Sequence, residues 1–177
     1  MKVIYLTGVE IYLIALLLII VFSIIFSVIF FKYRNRKIRD LLEEVGKSNS
    51  FFLQDTDNKI YDFELENSDY KLLIKLVYVP ANSSVTINSR NTWCLRYGGS
   101  PTRGYTNMKY LKRLIPFLEY KVLEKKTRKI LLIFPQTNKV QRYLNESEIA
   151  ILTPGEPVYD YRVISYLEFA ARFQDLL

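Results

Sequence analysis

Histidine is absent from this 177-residue chain, and cysteine occurs once, at Cys94. Those two facts remove the imidazole bases and the soft metal sites on which much hydrolytic chemistry depends. Ser-His-Asp and Cys-His systems go with them, and so does an intrachain disulfide. What remains is carboxylate, lysine and tyrosine chemistry, with a hard cation such as Mg²⁺ on oxygen ligands if a metal takes part. The residues placed for it are Asp62 and Glu64, which alternate with Tyr61, Phe63 and Leu65 in KIYDFELEN, and Lys75 in the apolar run YKLLIKLVYV. A lysine in such a run is either an amine of lowered pKa or half of an ion pair, with Asp62 a ready partner. Asp62, Glu64 and Glu66 are in turn either metal ligands or the wet face of a strand.

A second cluster is polar and cationic. In SVTINSRNTWCLRYG, Val85 and Ile87 start an apolar face that turns polar halfway, at Ser89 and Asn91, before Trp93, Leu95 and Tyr97 resume it. Polar groups on an apolar face are costly unless paired or exposed. If exposed, Asn88, Ser89, Arg90 and Asn91 offer fixed donors beside the flat ring of Trp93, and Arg96, Arg103, Lys109, Lys112 and Arg113 add positive charge beyond them. Gly98, Gly99 and Gly104 would let backbone amides approach a phosphate, although no phosphate-loop or dinucleotide fingerprint accompanies them. Arginine interleaved with aromatic residues in this way suits nucleic acid or nucleotide. If paired instead, the amides bond the backbone at a bulge, Trp93 is core, and the cations are the wet side of a helix.

The elements that must hold these residues begin with an anchor. Residues 11–31 (IYLIALLLIIVFSIIFSVIFF) carry no charge and no proline. At 1.5 Å per residue they span roughly 30 Å, the hydrocarbon thickness of a bilayer. A secretory signal would have a shorter apolar region and a small-residue cleavage site; here Phe30-Phe31 leads straight into KYRNRKIR. Lys32, Arg34, Arg36, Lys37 and Arg39 resist translocation, so the expectation is a single-pass protein with residues 1–10 outside and the C-terminal part cytoplasmic. The same five residues suit anionic lipid headgroups.

Charge elsewhere comes in blocks. Residues 40–89 hold nine acids and four bases (−5), residues 90–128 ten bases and two acids (+8), and residues 129–177 five bases and six acids (−1). The central excess points to a polyanion or an acidic partner unless the acidic block neutralises it across the fold. Residues 32–50 read as the basic juxtamembrane stretch plus a short amphipathic helix, and residues 51–177 as one globular domain. Its pattern predicts three antiparallel strands (KIYDFELEN, YKLLIKLVYV and SVTINSRNTWCLRYG), then a helix kinked at Pro116 in TNMKYLKRLIPFLEYKVLEKK. KILLIFP and DYRVIS read as strands, NESEIAILTP as ambiguous, and Tyr166–Leu177 as a closing helix capped by Ser165 and Glu168. The class is α+β or α/β, one mixed-sheet domain in the order helix-β-β-β-helix-β-β-helix.

This order resembles the restriction-endonuclease-like fold of PD-(D/E)xK nucleases over roughly residues 36–177. The resemblance implies one acid near the first hairpin, with Asp62 or Glu64 in that place, and an acid-x-Lys pair on the next strand, the carboxylates holding Mg²⁺ while a lysine assists the attacking water. The second strand departs from the pattern: Leu73-Ile74-Lys75-Leu76-Val77 supplies no second carboxylate. The expectation is therefore a catalytically inactive, membrane-anchored binding domain for a polyanion or a protein partner, without a cofactor. The alternatives are a Mg²⁺-dependent tethered nuclease using Asp62, Glu64 and Lys75, and a protein that assembles with another membrane component.

Overall fold

The computed structural model describes residues 8–56, 59–100, 102–124, 126–137, 139–144 and 148–177. It divides into two compact units, Met1–Leu41 and Leu42–Leu177. Helix α1 (Gly8–Ser48) carries the apolar run of the first unit. It is long and apolar enough to cross a membrane, and none of its most apolar window is buried in protein. The Ser27 hydroxyl donates to the Ser23 carbonyl at 2.8 Å, which removes a polar cost inside the span.

The second unit is α+β, with two sheets. Strands β1 (Phe52–Asp55), β2 (Phe63–Glu66), β3 (Lys71–Tyr78), β4 (Ser84–Ser89), β5 (Thr92–Ser100) and β6 (Gly104–Tyr110) come first. Helix α2 (Ile115–Glu119) follows, then β7 (Thr127–Phe134), β8 (Lys139–Tyr143), β9 (Ile149–Ile151), β10 (Pro157–Val158) and β11 (Tyr161–Ser165). The first sheet has the order β1-β2-β3-β7-β11-β10 and the second β6-β5-β4-β8-β9. In the first sheet, β3, β7 and β11 run parallel, and β2 is antiparallel to both its neighbours. The near-continuous apolar sequences of β3 and β7 fit strands covered on both faces. Leu73, Val77, Leu131, Ile133 and Val163 pack in one buried cluster with Val85, Ile87, Trp93 and Leu95 of the second sheet and with Leu114, Phe117 and Leu118 around α2. The alternate residues Leu72, Ile74, Ile130, Leu132 and Ile164 are buried on the other face.

Several expected elements are rebuilt. The long third strand is a hairpin, with Arg90-Asn91 as the turn between β4 and β5 and a register shift between Ile87 and Ser89. The helix expected over TNMKYLKRLIPFLEYKVLEKK is instead the end of β6, a 3₁₀ turn at Lys112–Leu114, the five-residue α2 and an extended segment. Pro116 lies in the first turn of α2 and starts it rather than kinking it. The closing helix is a series of turns with a 3₁₀ segment at Phe173–Leu176. There the Ser165 hydroxyl donates to the Glu168 carboxylate at 2.6 Å, a side-chain pair in place of the expected cap. Ile149–Ile151 of the ambiguous segment form β9, and residues 145–147 lie outside the described residues.

Candidate functional site

The acid–lysine cluster sits on the β2–β3 ladder. Phe63 pairs with Ile74, so Asp62 lies opposite Lys75 on one face of the first sheet. Asp62 takes the Lys75 ammonium at 3.1 Å on one carboxylate oxygen and the Leu76 N–H at 2.7 Å on the other. Glu64 is buried, accepting from Lys71 at 2.8 Å and from the Tyr61 hydroxyl at 3.1 Å. That hydrogen bond to Glu64 raises the Lys71 pKa above its ordinary value, against the opposing effect of burial. Of the three acids, Glu64 is buried while Asp62 and Glu66 stay part-exposed, so the strand face is wet on either side of Glu64. Each carboxylate already holds an ammonium, and a divalent ion would have to displace both. Among the described residues no three His, Cys, Asp or Glu gather. The residues present do not fit a Mg²⁺ centre.

The polar stretch divides between two roles. At the hairpin turn, the Arg90 guanidinium meets Asp160 at 3.0 Å, and its carbonyl accepts the Tyr161 hydroxyl at 3.2 Å. Asn91 donates to Glu119 at 3.1 Å. Trp93 is 1% exposed, and its indole N–H donates to the Tyr161 oxygen at 3.2 Å. It is a core residue tying the second sheet to β11, and no stacking surface. Asn88 and Ser89 stay exposed at the end of β4.

Beneath the turn lies a buried cation that sequence reasoning missed. Lys129 of β7 is 1% exposed, and its ammonium donates at 2.9 Å to each of three acceptors: the Leu118 carbonyl, the Tyr120 carbonyl and Asp160. Three donors meet three acceptors, which is what makes a buried ammonium tolerable. Burial still lowers the Lys129 pKa, partly offset by Asp160. Burial alone would push the Asp160 carboxyl up, but the bond and charge of Lys129, with Arg90 beside it, hold it below the usual carboxylate range. The Tyr161 hydroxyl is raised by burial. A cleft of ≈ 440 Å³ opens here, lined by Leu123, Glu124, Tyr159, Asp160 and Arg162 among others. Lys129 is fully bonded at its base, so the cleft presents no free amine.

The remaining cations lie around the outer strands of the second sheet. Arg96 on β5 pairs with Met108 on β6, and Lys109 pairs with Leu95, so the two point to opposite faces. Arg103 sits at the β5–β6 hairpin tip, and Lys112 and Arg113 lie in the 3₁₀ turn that follows β6. All five are exposed, and none forms an ion pair with a described residue. Four of the nine acids of the N-terminal block are engaged elsewhere: Asp62, Glu64 and Glu66 hold Lys75 and Lys71, and Asp69 holds Lys126. The glycines close the hairpin itself. A Cβ on Gly99 would stand 2.2 Å from the Gly104 carbonyl oxygen. No family model, curated protein or solved structure matches this chain.

Proposed function

We propose that this protein is a membrane-anchored docking module that binds a polyanionic or acidic partner through the basic end of its second sheet and performs no catalysis. The observation that carries this reading is the pairing pattern: Arg96, Arg103, Lys109, Lys112 and Arg113 are exposed without an acidic partner among the described residues, while the acids of β2 and the β2–β3 turn are spent on other lysines. Unneutralised cations around one end of a sheet, here on both of its faces, raise the local concentration of anions and speed their capture. The anchor concentrates the module at a membrane, and the basic residues 32–39 support a cytoplasmic position for it.

The test uses the full chain in nanodiscs of neutral lipid, with single-stranded oligonucleotide and polyglutamate as probes. If all five cations contact phosphates, oligonucleotide affinity falls about a hundredfold between roughly 50 and 200 mM salt. The variant Lys112→Ala/Arg113→Ala lowers both the affinity and that slope. Binding indifferent to salt and to this variant overturns the reading. The restriction-endonuclease-like resemblance supports at most an inactive member, since Asp62 and Glu64 are each held by a lysine. No cleavage of DNA or RNA is expected with Mg²⁺ or Mn²⁺; cleavage that disappears in Glu64→Gln would favour the nuclease instead.

A further inference from the structure

We infer that β6 is a docking edge at which an extended acidic polypeptide adds to the second sheet as a further strand. β6 is the outer strand of that sheet, seven residues long, with all but one of its residues exposed. Its pairing with β5 keeps one register from Gly104 to Tyr110, and no proline interrupts it. The Leu111 N–H donates to the Trp93 carbonyl at 2.9 Å. In an antiparallel ladder that bond fixes the alternation, so the odd-numbered residues of β6 bond to β5. The N–H and C=O groups of Thr106, Met108 and Tyr110 therefore point away from the sheet. Long open edges of this kind invite pairing, and proteins usually blunt them. This one carries a single lysine, Lys109, and neither a proline nor a register shift.

Charge decides the occupant. Arg103 precedes the strand, Lys109 lies within it, and Lys112 and Arg113 follow it. A second copy would bring like charges together across the new ladder, which is unfavourable. A nucleic acid backbone accepts hydrogen bonds but offers few donors, and would leave the three outward carbonyls unmatched. An extended peptide alternates donor and acceptor at the spacing of the edge, and acidic side chains would meet the cations. Met108 and Tyr110, 59% and 48% exposed, alternate along the edge on the face they share with Arg96, and would flank alternate side chains of the guest.

This inference rests on the docking reading above, and its test separates the two. The full chain in neutral nanodiscs is titrated with the blocked peptide Glu-Val-Glu-Val-Glu-Val-Glu and, separately, with single-stranded oligonucleotide. Amide hydrogen exchange should slow at Thr106, Met108 and Tyr110 when the peptide binds, and stay unchanged at Asn107 and Lys109, which already bond to β5. Met108→Pro removes one outward N–H without touching the bonds to β5, and should weaken peptide binding about tenfold, as losing one good hydrogen bond does. Met108→Ala keeps the N–H and should retain most of the binding. Peptide binding without protection on β6, or unchanged by Met108→Pro, overturns the inference. Binding of oligonucleotide but not peptide overturns it and leaves the docking reading standing; binding of neither overturns both.

Discussion

Lys129 shows how one side chain organises its surroundings. Its ammonium joins the carbonyl ends of α2 and the following segment to Asp160, which in turn holds the β4–β5 turn through Arg90. Lys129→Met would leave the Leu118 and Tyr120 carbonyls without their donor and Asp160 with Arg90 alone, and should cost about 3 kcal/mol in urea unfolding at neutral pH. The Asp160 carboxyl is depressed in the folded state. Its contribution to stability is therefore complete above the unfolded carboxylate range near pH 4 and is lost as pH falls through the folded value. Asp160→Asn should flatten the acid limb of the stability–pH curve; an unaltered limb would mean the pair is not formed. The sequence hid this arrangement. Lys129 stands at the mouth of an apolar strand where a solvated lysine is unremarkable, and its acid lies 31 residues further on. The Asp62–Lys75 pair was easier to read, because the two residues face each other across one hairpin.

Among elements, the β5–β6 hairpin carries the cations and most exposes the limits of pattern reading. Met108, Leu111, Leu114, Ile115 and Leu118 satisfy a helical period, yet Thr106 to Tyr110 alternates equally well as a strand. The Gly98-Gly99 and Gly104 positions settle the matter by returning the chain alongside β5, and pairing overrides local preference. Strands β3 and β7 were plain in the sequence because both faces are covered and their apolar runs are nearly unbroken. The β4–β5 turn was not, because Arg90-Asn91 lacks the glycine that usually marks a tight hairpin. The close approach of Gly99 to the Gly104 carbonyl predicts that Gly99→Ala opens the hairpin. That variant should lose about 1–3 kcal/mol in thermal unfolding and much of its polyanion affinity, whereas Asn88→Ala, in an exposed position, should change neither by a measurable amount.

At the scale of the whole molecule, the apolar helix and the central excess of cations are the two features that composition alone displayed. A helix long and apolar enough to cross a membrane needed only a count of residues without charge. Which cations lack an acid needed the fold, since a net excess says nothing about which charges are already matched. If the globular unit is cytoplasmic, as proposed, protease added to intact cells should leave the bulk of the chain undigested, and digestion would reverse the orientation. One further property follows from the seam between the sheets. The chain has a single tryptophan, and its indole lies 5.7 Å from the Tyr161 ring with its N–H on that hydroxyl. Its fluorescence thus comes from one known spot. Loosening of the second sheet from β11 should shift that emission to the red before the strands themselves melt, giving the protein an optical gauge of its own without any added dye.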